Sequence, residues 1–101
     1  MQSISVSELK SRLDKGDKPI IIDVREPYEY EEFNIGGKLI PLGNLQARLH
    51  ELDDQSDEEI IVHCRSGARS AAAVDYMNKQ GFSNVKNLTG GILAWMELSG
   101  N

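Results

Sequence analysis

Residues 60–79 restrict the fold more than any other part of this 101-residue chain. The stretch begins with three β-branched residues, Ile60, Ile61 and Val62, and this apolar run is typical of a buried parallel strand. It ends with an alanine-rich segment that favours a helix, and Gly81 can supply the left-handed residue that stops the helix. A strand followed closely by a helix is typical of α/β domains.

A short loop between this strand and helix begins at Cys64, which is the only cysteine. The backbone N–H groups of such a loop converge on one point, and the helix N-terminus adds partial positive charge there. These surroundings lower the pKa of a thiol from its free value of about 8.5, so the thiolate becomes available as a nucleophile near neutral pH. We therefore predict that Cys64 is the catalytic residue.

The rest of the loop supplies the candidate substrate-binding residues. They are Arg65, Ser66, Gly67, Ala68, Arg69 and Ser70. The two arginines are expected to lie within reach of an anion, Gly67 lets the backbone curl, and Ser66 or Ser70 could cap the helix or donate to an oxyanion. The alternative is a buried, inert cysteine, but arginine, serine and glycine make a poor core around it.

A second polar pair follows another apolar run. Asp23 and Arg25 come after residues 20–22, which are predicted to form a strand covered on both faces. In open parallel sheets the carboxyl ends of the strands are the edge where ligands bind. Asp23 and Arg25 therefore either contact the substrate or hold the loops that shape its pocket.

The remaining segments alternate between strand and helix patterns. Ser5 and Glu8 form a capping-box pattern, and leucines at steps of three and four residues indicate an amphipathic helix. In chain order the predictions are a strand before Ser5, a helix ending at Gly16, a helix over 27–33, a turn over 34–38, a strand at 39–40, a helix carrying Leu42, Leu45, Leu49 and Leu52, a polar connection over 53–57, a strand over 85–88 and a helix over 92–98. This pattern predicts one α/β domain over residues 1–101, with a mostly parallel sheet between two helical layers.

Composition excludes several kinds of partner. The net charge of -5 disfavours nucleic acid, no apolar run is long enough for a membrane span, and no metal-binding pattern of cysteine and histidine is present. The single cysteine rules out an internal disulfide, and the first residues do not resemble a signal peptide, so we expect a reduced, cytoplasmic setting.

Four segments resemble the signature motifs of the rhodanese family. Residues 64–70 are similar to the family's active-site loop, 20–30 to its first signature, 36–41 to its second and 87–95 to its closing segment. One departure is Asn34, where many relatives carry histidine, and only local turn packing should be affected. The resemblance implies about five strands with the cysteine loop at the carboxyl edge. Because the loop would supply most anion contacts, Asp23 and Arg25 are expected to have a supporting role.

The resemblance also implies a function, namely transfer of a sulfane sulfur through a Cys64 persulfide. The donor would be a small anion such as thiosulfate or a persulfide, and the acceptor a thiol, cyanide or a protein. Loop amides would stabilise the persulfide, while Arg65 and Arg69 would hold the anionic donor. No metal or organic cofactor is expected.

Two other functions remain open. Phosphatases and arsenate reductases of the same fold family have a similar loop, but in it the arginine is at the sixth position after the cysteine. In this sequence Arg69 is at the fifth position after Cys64. A non-catalytic binding or regulatory module is the other alternative, although the retained Cys64 weighs against it. His63 is expected to point away from Cys64 by strand alternation, and His50 is expected to be exposed.

Overall fold

Five parallel strands form the centre of the domain. In a computed structural model, which describes residues 1–100, they are β1 (Gln2–Ile4), β2 (Ile20–Asp23), β3 (Lys38–Leu39), β4 (Ile60–His63) and β5 (Val85–Leu88). Their order across the sheet is β1-β5-β4-β2-β3, and each pair of neighbours is parallel. The predicted α/β class and five-stranded sheet are therefore confirmed.

The middle strand, β4, determines where Cys64 lies. Ile60 pairs with Ile20 of β2 on one side and with Val85 of β5 on the other. All four residues of β4 are buried, as expected for a strand covered on both faces. Cys64 follows β4 directly and so lies at the centre of the carboxyl edge of the sheet, where ligands bind in open parallel sheets.

Helices cover both faces of the sheet. They are α1 (Val6–Asp14), α2 (Pro27–Glu32), α3 (Leu45–Arg48), α4 (Ala68–Lys79) and α5 (Gly91–Leu98). One core cluster, between the sheet and α1 and α5, contains Leu9, Ile61 and Leu88, with the partly buried Trp95 packed against it. The other, between the sheet and α3 and α4, contains Leu45, Val62, Val74 and Met77. None of the helices within residues 1–100 is long and apolar enough to cross a membrane.

The predicted helix boundaries at Ser5, Gly16 and Gly81 are confirmed. The Ser5 Oγ accepts a hydrogen bond from the backbone N–H of Glu8 at 3.1 Å, which caps α1. Gly16 and Gly81 follow α1 and α4 with φ angles of 91° and 97°, and this left-handed conformation ends each helix at little cost for glycine.

The predicted helix that carries the four leucines is only partly correct. The structure divides this segment into a 3-10 turn at Leu42–Asn44, the four-residue α3, and a second 3-10 helix at Leu49–Gln55 that extends into the predicted polar connection. Leu45, Leu49 and Leu52 are nevertheless buried as expected. Steps of three and four residues place side chains on one side of either kind of helix, so the spacing predicts the buried side but not the type of turn.

Candidate active site

The sulfur of Cys64 lies inside a ring of backbone donors at the start of α4. The N–H of Gly67 lies 3.1 Å from Sγ, and the N–H of Ser70 lies 3.4 Å from it. Gly67 caps the helix with a φ of 121°, a conformation that favours glycine, and this lets the loop turn back over the sulfur. Cys64 is only 1% exposed, so the sulfur faces these donors rather than bulk water.

The hydroxyl of Ser70 is a third polar contact of the sulfur, at 3.4 Å. The same oxygen lies 2.6 Å from Oδ1 of Asn87 and 3.2 Å from the carbonyl oxygen of Gly67. Because a hydroxyl has one proton, Asn87 is its nearest acceptor when Cys64 is a neutral thiol. Asn87 lies on β5 beside β4 and was not predicted as a site residue, because nothing in its local sequence shows that it faces Ser70.

These contacts set the pKa of the Cys64 thiol. Burial raises this pKa, but hydrogen bonds from the hydroxyl of Ser70 and from the backbone N–H groups of Ser70, Gly67 and Ser66 together lower it by more. The pKa therefore lies below its usual value, as the loop sequence indicates. A lowered pKa increases the fraction of Cys64 that is ionised to the thiolate near neutral pH.

The first turn of α5 holds the loop from behind. The N–H of Ile92 donates to the carbonyl oxygen of Cys64 at 3.0 Å, and the N–H of Leu93 donates to that of Arg65 at 3.1 Å. Gly91 permits this approach, because a Cβ at Gly91 would lie only 2.5 Å from the carbonyl oxygen of Cys64. The last helix thus positions the backbone that carries Cys64.

The two loop arginines have different surroundings. Arg65 is exposed, and its side chain forms no hydrogen bond or ion pair with any other residue between 1 and 100. Arg69 instead forms a bidentate ion pair with Glu29 of α2, with nitrogen–oxygen distances of 2.7 and 3.0 Å. Between residues 1 and 100, Arg65 therefore has no carboxylate partner, whereas Arg69 is paired with Glu29.

The other predicted loop residues lie around the same point. Ser66 is exposed, and its backbone N–H contributes to the donors around Sγ, whereas Ala68 is the exposed first residue of α4. Neither Ser66 nor Ser70 caps α4, so that part of the prediction is wrong. The cap position falls on Gly67 because the chain needs a left-handed residue there.

Asp23 and Arg25 form a buried ion pair at the end of β2. The guanidinium nitrogens of Arg25 donate to both carboxylate oxygens of Asp23 at 2.8 to 3.1 Å, and Nη2 also donates to the carbonyl oxygen of Phe33 at 2.7 Å. Asp23 is fully buried and Arg25 is 4% exposed. The pair connects β2 to the residue that follows α2, which is compatible with the expected supporting role.

His63 is fully buried beside this pair, with Nε2 3.8 Å from Oδ2 of Asp23. Neither ring nitrogen has a hydrogen-bond partner within residues 1–100. Burial lowers the pKa of His63, so the ring is neutral near pH 7. The side chain faces Asp23, which fits the predicted direction away from Cys64. His50 is exposed, as predicted.

Asn34 closes the turn before β3. Its Nδ2 donates to the carbonyl oxygen of Tyr30 at 3.0 Å, and its Oδ1 accepts from the N–H of Gly36 at 2.9 Å. The asparagine therefore supports the local turn. Across the described part of the chain, no group of three or more His, Cys, Asp or Glu side chains is placed to bind a metal ion.

The fold and the cysteine loop together define a class: parallel α/β domains with a cysteine inside a ring of backbone donors at the carboxyl edge of the middle strand. The rhodanese-like domain family model matches residues 5–98. The chain therefore belongs to the rhodanese-like domain family, as its four motifs indicate.

Relatives cover nearly the whole domain. A protein of Allochromatium vinosum named "Sulfurtransferase" is 34% identical over 94% of this chain and 88% of its own length. The "Putative sulfur carrier protein YrkF" of Bacillus subtilis is 41% identical over 91% of this chain but 49% of its own length, so this chain spans about half of that relative. The crystal structure of a rhodanese-like domain protein from Staphylococcus aureus has a TM-score of 0.85 and 32% identity, covering 94% of this chain and 91% of that one.

Proposed function

We propose that this protein is a sulfurtransferase that carries a sulfane sulfur on Cys64 as a persulfide. The observation that carries the proposal is the ring of donors around Sγ, in which the backbone N–H groups of Gly67 and Ser70 lie 3.1 and 3.4 Å from the sulfur. Relatives named as sulfurtransferases support the same class of reaction.

The transfer takes place as two displacements. In the first, the Cys64 thiolate attacks the outer sulfur of the donor, a new S–S bond forms, and the old bond to that sulfur breaks. The bonding pair leaves with the remainder of the donor, as sulfite from thiosulfate or as a thiolate from a persulfide. In the second, an acceptor thiolate or cyanide attacks the outer sulfur, and the Cys64 thiolate returns. Ping-pong kinetics are expected.

The loop residues have separate roles in this mechanism. The converging N–H groups stabilise the negative charge of the thiolate and then of the persulfide, in a site that largely excludes water. Arg65 is free to attract an anionic donor or a carboxylate near the acceptor. Asp23 and Arg25 support the surrounding loops without contact with the sulfur. A reducing, cytoplasmic setting would keep Cys64 available as a thiol.

The length of the loop argues against transfer of a phosphate or arsenate group. Arg69 is the fifth residue after Cys64, whereas phosphatases and arsenate reductases of the same fold family carry arginine at the sixth, where the extra residue widens the ring for a tetrahedral oxyanion.

The proposal is tested by intact-protein mass spectrometry after brief incubation with thiosulfate or with glutathione persulfide, with Cys64→Ser as the matched control. We expect the native chain, and not the variant, to gain one sulfur atom and to lose it again when cyanide or a thiol is added. If neither donor leaves a sulfur atom on the native chain, sulfur transfer is refuted and a non-catalytic binding module is favoured.

A further inference from the structure

The ion pair between Arg69 and Glu29 determines how much positive charge the site offers. Arg69 lies in the first turn of α4, next to the ring around Cys64, and both of its terminal nitrogens contact the carboxylate of Glu29. Glu29 comes from α2, forty positions earlier in the chain. The contact therefore brings a negative charge from another part of the fold to the edge of the loop.

The pair is partly shielded from water. The side chain of Glu29 is 12% exposed and that of Arg69 is 34% exposed. The Arg69 guanidinium holds the pKa of Glu29 at about 2, so the carboxylate keeps its charge at any physiological pH. With Arg69 neutralised in this way, Arg65 is the one loop arginine whose charge is not compensated by a carboxylate within residues 1–100.

We propose that Glu29 is a positioning residue that sets donor choice, by neutralising Arg69 so that the site favours persulfides of low net charge over the thiosulfate dianion. This inference rests on the proposed sulfurtransferase function. A thiosulfate dianion has to approach two fixed charges that cancel, and it gains full attraction only from Arg65 and the loop N–H groups. A persulfide needs only its outer sulfur to enter the ring, so the second guanidinium matters less to it.

The expected size of the effect follows from the charges. For a donor charge one screening length from the carboxylate, about 8 Å, removal of one negative charge improves binding of a dianion on the order of tenfold and of a net-neutral donor by less than about twofold. The ratio of the two donors is therefore the informative quantity, because a general change in loop stability alters both donors together.

Glu29→Gln is a suitable variant because it preserves the second role of this residue. The Oε1 of Glu29 accepts the backbone N–H of Glu26 at 3.0 Å as part of the capping box of α2. A glutamine can make the same bond, since glutamine also occurs at this position of capping boxes. The variant removes the charge while keeping the start of α2 intact.

The experiment measures kcat and KM for thiosulfate and for cysteamine persulfide, a donor of zero net charge when its amine is protonated and its persulfide group is ionised, with cyanide as acceptor. We expect Glu29→Gln to lower the KM for thiosulfate by on the order of tenfold, with kcat little changed and less than about twofold change for cysteamine persulfide. Glu51→Gln is the matched control, because Glu51 pairs with Arg48 and Lys38 rather than with the loop.

Arg69→Gln and the double variant test the charge argument independently. Arg69→Gln alone leaves Glu29 unpaired, so the thiosulfate-to-persulfide ratio should fall on the order of tenfold. The double variant removes both charges, and its ratio should return to within about threefold of the native ratio. A double variant as poor with thiosulfate as Arg69→Gln would instead show that Arg69 binds the donor directly, and would overturn the proposal.

The remaining outcomes also decide the question. Equal gains for both donors in Glu29→Gln, or no gain with thiosulfate, would overturn the role of Glu29 while leaving sulfur transfer intact. A native protein that accepts sulfur from neither donor would instead refute the proposed function. If Glu29→Gln does not fold because Arg69 is left unpaired, the double variant, which has neither charge, gives the decision. A double-variant ratio near the native one supports the proposal, and a ratio as low as that of Arg69→Gln overturns it.

Discussion

Replacing Gly91 with alanine should damage both the stability of the domain and the reactivity of Cys64. Gly91 is buried at the first position of α5, and its φ angle of 56° lies in the left-handed region. A Cβ there would lie 2.5 Å from the carbonyl oxygen of Cys64 and 2.6 Å from that of Arg65. These are backbone atoms of the active-site loop, so they cannot move aside by a simple change of rotamer.

The cost of Gly91→Ala has two parts. The left-handed conformation costs a residue with a Cβ about 1–2 kcal/mol. Relief of the overlap with the loop costs about 1–3 kcal/mol more, as for other overpacked sites. The sum is about 2–5 kcal/mol, which corresponds to a decrease in Tm of roughly 10–30 °C for a domain of this size.

Gly36→Ala provides the matched control for this experiment. Gly36 has a φ angle of 89°, but no atom lies within 4 Å of a Cβ built there, so it reports the backbone cost alone. Urea unfolding followed by far-UV circular dichroism and by fluorescence of the single tryptophan, Trp95, gives both free energies of unfolding. Alkylation of Cys64 by iodoacetamide below the unfolding transition shows whether the displaced loop has lost its donors.

We expect Gly91→Ala to lose at least about 1 kcal/mol more than Gly36→Ala and to be alkylated more slowly at pH 7. Equal losses of stability in the two variants would refute the close approach between α5 and the loop. Unchanged alkylation in a strongly destabilised variant would refute the link between this helix and the thiolate.

Three further predictions concern charge and hydrogen bonding. Ser70→Ala removes one donor, so the pKa of Cys64 should rise, the pH–rate profile for alkylation should shift to higher pH, and the rate at pH 7 should fall by about fivefold. Arg25→Met leaves the Asp23 carboxylate buried without its partner and should cost about 3–5 kcal/mol in urea unfolding. Glu59 has a pKa of about 2 in the folded protein because Arg12 donates hydrogen bonds to its carboxylate. The pair should therefore contribute about 1–2 kcal/mol of stability above pH 4.5, and this contribution should decline as the pH falls towards 2. Glu59→Gln should lack the contribution at every pH.

Each of these predictions has a clear contrary result. Ser66→Ala retains its backbone N–H and should leave the alkylation profile unchanged, so equal shifts in Ser66→Ala and Ser70→Ala would contradict the assigned role of the hydroxyl. Arg48→Met removes a surface ion pair and should leave the free energy of unfolding almost unchanged, so an equally small loss in Arg25→Met would contradict the buried pair. Parallel pH curves for the native chain and Glu59→Gln would contradict the lowered pKa.

Much of the fold was predictable because it depends on local patterns. The β-branched runs that became β2 and β4, the serine cap of α1 and the glycines at 16 and 81 each specify structure through nearby atoms. The type of helix after Pro41 was not predictable, because the leucine spacing fits both α and 3-10 turns over so few residues.

The site was predictable to the same extent and for the same reason. The donors around Cys64 belong to six consecutive residues after it, so the loop sequence indicates them. The partners of Ser70 and Arg69 are Asn87 and Glu29, which lie far away in the chain. Whether an arginine faces a substrate or a carboxylate depends on those distant contacts, and no local pattern reports it.

The pairing of β1 with β5 has a consequence for the order of events during synthesis. Residues 2–4 pair with residues 86–88, so β1 cannot form its strand pairing until β5 has been synthesised. The carbonyl oxygens of Cys64 and Arg65 likewise remain without their α5 partners until residues 92–93 emerge from the ribosome. A nascent chain therefore carries Cys64 before the loop around it is held in place, and the proposed sulfur loading would require the finished domain.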